Sequence, residues 1–139
     1  MIFRFKANLN GTITASASLL ALFFYIQVSS TYAVNHADSC NNKYENLSKQ
    51  HTAAILHNTE GTPAFFNALH SVEEKIFISF QHCPKDPLLF TLMGEVQISL
   101  GNLQLASIYA NKAFNWNSTI WQTHHLLGTT LSMQEQYEK

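Results

Sequence analysis

Seven histidines, two cysteines and a Glu73-Glu74 pair are the side chains whose chemistry could be put to work in this chain. Metalloprotease-type helices place two histidines four residues apart, so that both reach one ion from a single helical face. His51 and His57 are six apart and would point to different sides; His124 and His125 are adjacent and diverge as well. The turn of about 100° per residue also separates Glu73 from Glu74, which reads as a solvated face and not as a general acid with its base. No Gly-rich phosphate loop, nucleophile elbow or metal-helix motif occurs in the 139 residues. We therefore expect no catalytic residue, no metal and no cofactor, and the chain is not expected to be an enzyme.

The thiols are a different matter. Cys40 and Cys83 could pair, closing a loop of about 43 residues and stabilising the fold by roughly 4 kcal/mol through lost chain entropy. The alternative is two unpaired thiols, one near the start of the folded region and one in a turn. A bridge requires an oxidising compartment, and the N-terminus supplies a route to one. Arg4 and Lys6 precede an uncharged apolar stretch, Ile13 to Val28, followed by the small residues of Ser29-Ser30-Thr31-Tyr32-Ala33. This is the pattern of a secretory signal peptide cleaved after Ala33. An uncleaved anchor is the alternative, but the stretch falls short of the roughly 20 residues a spanning helix needs. Lipidation at Cys40 is disfavoured by Ala37 and Asp38, which are poor residues for that signal.

Cleavage would leave six basic side chains against nine acidic ones, a formal charge of −3. No basic patch remains, so nucleic-acid binding, which rests on phosphate neutralisation, is not expected. Charged residues make up 12% of the chain, against about 25% in ordinary domains. The surface is accordingly expected to be neutral and polar. Contact with a membrane is expected only through the leader, if it stays uncleaved.

Helical periodicity runs through the rest. Tyr44, Leu47, His51, Ala54 and Ile55 predict a first helix over 44–58. Thr62 caps a second, with Pro63 in its first turn and Phe65, Phe66, Leu69, Val72, Ile76 and Phe80 at helical spacing over 64–82. Asp86-Pro87 predicts the start of a third over 88–100, and Gly101-Asn102 its end. A fourth over 103–114 carries Ala106, Tyr109, Ala110 and Ala113 on one face. The fifth, over 120–133, would open with a capping box formed by Thr119 and Gln122.

Gly94 and Gly128 lie 34 residues apart, each after a large apolar residue, Met93 and Leu127. A fixed period of this length marks helical repeats that stack on one another. The segment Pro87 to Ile120 resembles the tetratricopeptide repeat family: Phe90, Met93 and Gly94 occupy its aromatic, leucine and small positions, and Ala106 and Ala113 its second-helix alanines. A second unit starts at Trp121 and carries Leu127, Gly128 and Leu131 in register. Gln97, Ala110, Ser118 and His124 depart from the pattern, and the segment before Pro87 fits only through Val72, Ile76 and Pro84.

The resemblance implies an all-α fold, antiparallel helix pairs stacked as a short solenoid after the leader. Its segments would be the signal peptide at 1–33, a divergent or capping helical pair at 34–85, and repeats at 86–139, the last incomplete. The chain is then expected to be the N-terminal piece of a longer repeat protein, or a truncated frame. The resemblance also implies a concave, partner-binding groove lined by Leu88, Thr91, Glu95, Ile98 and Ser99, and by Gln122, His125, Thr129, Ser132 and Met133. His124 would be a core position. Thr91 and Glu95 replace the Lys and Asn of repeats that clamp a free C-terminal carboxylate, so that ligand is not expected.

The function expected is a scaffold that binds a peptide or helix of another protein. Its location would be outside the cytoplasm: periplasmic by preference, otherwise secreted or membrane-anchored. The alternative is the regulatory or substrate-presenting N-terminal segment of a larger enzyme. Three Asn-x-Ser/Thr sequons, at Asn10, Asn46 and Asn117, would matter only on a eukaryotic secretory route.

Overall fold

The computed structural model describes residues 38–137, all of which fall in one compact unit; the leader expected at 1–33 lies outside them. The described residues form five helices and no strand. They are α1 (38–57), α2 (Pro63–Phe80), α3 (Pro87–Ser99), α4 (Leu103–Trp116) and α5 (Trp121–Tyr137). The all-α expectation holds.

Local chemistry accounts for most boundaries. The Thr62 hydroxyl accepts from the Phe65 amide at 3.3 Å, and Asp86 Oδ1 accepts from the amides of Leu88 and Leu89 at 2.9 and 3.0 Å. Each satisfies donors that a helix start leaves open, stabilising it by about 1 kcal/mol. Pro63 and Pro87 stand in the first turns, where the missing N–H costs nothing. Gly101 takes a φ of +80°, the left-handed conformation that lets α4 turn back along α3.

Two boundaries differ from expectation. Helix α1 begins before Tyr44 and includes Cys40, which is buried. The capping box at the start of α5 is replaced by a turn centred on Asn117, whose Oδ1 accepts from both the amide and the hydroxyl of Thr119, at 2.9 and 2.7 Å. Asparagine competes well for nearby backbone donors, and here it has taken the residue that the box required.

Helix α3 is the centre of the packing. It touches α2, α4 and α5, and α4 also packs on α5. Ala106, Ala110 and Ala113 are all fully buried, and their small side chains let α4 approach α3 closely. The main core joins Cys40 and Leu47 of α1, Val72 and Ile76 of α2, Cys83, and Leu89, Leu92, Met93 and Val96 of α3. This core runs on both sides of residue 85, where α2 and α3 are joined by a short turn. Phe80, Phe90 and Tyr109 stack in series across α2, α3 and α4, with Phe80 and Phe90 centroids 4.7 Å apart. The Sγ atoms of Cys40 and Cys83 are bonded, tying the first turns of α1 to the connection between α2 and α3.

Candidate functional site

Between α3 and α5 lies a cavity of about 240 Å³ lined by Glu95, Ile98, Ser99, His125, Leu126 and Thr129. Five of these were expected as groove residues, drawn from two helices about 30 positions apart in the chain. They meet because Gly94 lets α5 come close: a Cβ built there would fall 2.5 Å from Leu126 Cδ2. A shallower hollow of about 420 Å³ continues along α5 past His124, His125, Gly128, Thr129, Ser132 and Met133. Leu88 and Gln122, at the N-terminal ends of their helices, are half-buried and line neither.

Thr91 needs correction. It is 1% exposed and its hydroxyl donates to the Pro87 carbonyl at 2.9 Å, so it packs the interior and is withdrawn from the groove. His124 moves the opposite way, from an expected core position to the surface. Its Nε2 lies 2.6 Å from the Ser118 carbonyl and its ring meets Phe114 edge-on. Glu73 is likewise more than a solvated charge, since its carboxylate accepts from Gln97 Nε2 at 2.6 Å and lies 3.0 Å from His70 Nδ1.

Behind the groove stands a residue that the sequence did not single out for it. His51 of α1 is 8% exposed; its Nε2 lies 3.3 Å from Ser99 Oγ, and its Nδ1 lies 4.0 Å from Glu95 Oε2. Burial pushes this imidazole below its ordinary pKa of 6.5. Glu95 is affected in the opposite sense: burial raises its carboxyl above the ordinary 4.5, and the field of His125 pulls partly back. Tyr44 of α1 also faces this charge, its hydroxyl raised first by burial and then by Glu95. Among the described residues no group of three or more His, Cys, Asp or Glu side chains could hold a metal, and no helix is long and apolar enough to cross a membrane.

No family model, curated protein or solved structure matches the chain significantly. The groove is therefore judged on its own geometry.

The Glu95 shift has a measurable consequence. A carboxyl whose pKa is raised by folding favours the native state when protonated, and that advantage is lost as pH rises from 4.5 through the folded value. Glu95→Gln is thus expected to melt higher than the parent at pH 7.5 and at the same temperature near pH 4. His51 contributes a loss of its own as pH falls below 6.5. Melting curves of the pair across this range check it; a constant difference at every pH would contradict the assignment.

Proposed function

We propose that this chain is an exported interaction scaffold of tetratricopeptide type, holding an extended or helical segment of another protein in the groove between α3 and α5. The observation that carries it is the meeting of Glu95, Ile98, Ser99, His125 and Thr129 around one cavity. The tetratricopeptide resemblance implies a groove at these positions, and a cavity edged by both apolar and hydrogen-bonding groups suits a segment bound by a few anchors on a rigid surface. Helix pairs joined by short connections, with α5 packed on α3 as well as on α4, support the repeat reading. The leader pattern and the Cys40–Cys83 bond both favour an oxidising compartment, the periplasm first among them.

A photo-crosslinking residue placed at Ile98 or Thr129 in the native host should capture a discrete partner. The same probe at Phe77, exposed on α2 and away from the cavity, should not. Equal capture from all three positions, or capture from Phe77 alone, would refute the groove.

A further inference from the structure

We propose that the groove selects a partner segment by a lysine or arginine side chain that it seats against Glu95; this rests on the groove reading above. The carboxylate of Glu95 lies on the wall of the cavity, out of hydrogen-bond reach of the nearest side-chain donors. His51 Nδ1 is 4.0 Å away, beyond hydrogen-bond reach, while the other ring nitrogen faces Ser99. The Ser99 hydroxyl donates to the backbone carbonyl of Glu95 at 3.1 Å and not to its side chain. Among the described residues no lysine or arginine lines the cavity, and the positive field that reaches Glu95 comes from His125 across it. Among the described residues no side-chain donor thus reaches this half-buried carboxylate within hydrogen-bond distance, and an incoming cation supplies one.

The remaining walls fit the rest of such a side chain. Ile98 and Leu126 offer apolar surface to a methylene stem, and Thr129 stands at the side with a hydroxyl. At about 240 Å³ the cavity is smaller than the roughly 300–1,000 Å³ of small-molecule sites, and it suits one long side chain of a larger partner. A partner carboxylate would instead meet Glu95 as a like charge. The recognised feature is therefore a basic residue flanked by apolar ones.

The test uses the full chain as bait for a displayed library of random dodecapeptides, in parallel with Glu95→Gln, a change that keeps volume and removes the charge. The parent should enrich peptides with Lys or Arg beside apolar residues, and the variant should not. In the strongest synthetic binder, replacing that cation by norleucine should weaken binding to the parent about tenfold, the scale of a charge-assisted hydrogen bond, and to Glu95→Gln less than twofold. Peptides that bind both proteins alike, with norleucine harmless, would leave the groove standing and overturn its preference for a cation. Failure of the parent to enrich any peptide would overturn the groove and the preference together.

Discussion

Removing the Cys40–Cys83 bond is expected to lower the stability of the folded region by about 4 kcal/mol, a drop in melting temperature of about 20 °C for a domain of this size. The bond closes a loop of 43 residues, and the chain entropy that it denies to the unfolded state sets this magnitude. The replacement should be Cys40→Ala with Cys83→Ala. Both sites are buried, at 6% and 3% exposure, and serine would add a hydroxyl that needs a partner. The loss should fall unevenly. Helix α1 is polar over much of its surface and reaches the main core chiefly through Cys40, Leu47 and the half-buried Tyr44. Once untied, its amides should exchange with solvent well before those of α3. Denaturant melts with and without reductant, together with hydrogen exchange, measure both effects. A melt indifferent to reduction would show that the bond does not constrain this fold.

The second large effect separates two glycines that the sequence presents as equivalents. Gly94→Val should cost about 3 kcal/mol, whereas Gly128→Val should change stability by less than about 0.5 kcal/mol. At Gly94 even a Cβ would meet Leu126 Cδ2 at 2.5 Å, Cδ1 at 3.3 Å and Cγ at 3.4 Å, so the leucine must shift, and the two valine methyls add further bulk at the same place. Leu126 is itself 1% exposed, so moving it disturbs the α3–α5 packing. At Gly128 nothing lies within 4 Å. Leu126→Ala alone should destabilise by about 2–5 kcal/mol through the cavity it leaves, and combined with Gly94→Val it should cost clearly less than the sum of the two. A double-mutant cycle in denaturant gives the coupling; strict additivity would mean that the two residues do not oppose each other across the α3–α5 contact.

What could be read in advance was mostly local. Thr62-Pro63, Asp86-Pro87 and Gly101 announce helix ends because the atoms involved lie within three residues of one another, and all three act as their types require. The alanine stripe of α4 was legible for a related reason: small side chains repeated on one helical face have few uses except close packing. The start of helix α1 is not legible because 38–43 is mostly polar and shows no periodicity, and what ties it down is a covalent bond from Cys40 to a residue 43 positions away. Gln97, standing where the repeat family has an aromatic, is 1% exposed yet has its amide joined to Glu73 and Asn102, partners that local sequence does not reveal. Thr91 was lost from the groove, and His51 was gained behind it, for the same reason. Register gives a position along a helix, but the depth of a side chain depends on which neighbours arrive, and these come from other parts of the chain.

The burial of α3 bears on how such a surface can diverge. Residues 89–94, together with Val96 and Gln97, are buried on one side or another of this helix, which leaves Glu95, Ile98 and Ser99 as its contribution to the groove. Change at almost any other position on α3 would be paid for in folding. Across the groove, His125 and Ser132 are exposed and Thr129 and Met133 half-buried, with open space beside Gly128. On the groove reading proposed above, new partner preferences would therefore arise at Glu95, Ile98 and Ser99 and along the α5 wall, while the buried remainder of α3 is held fixed by folding.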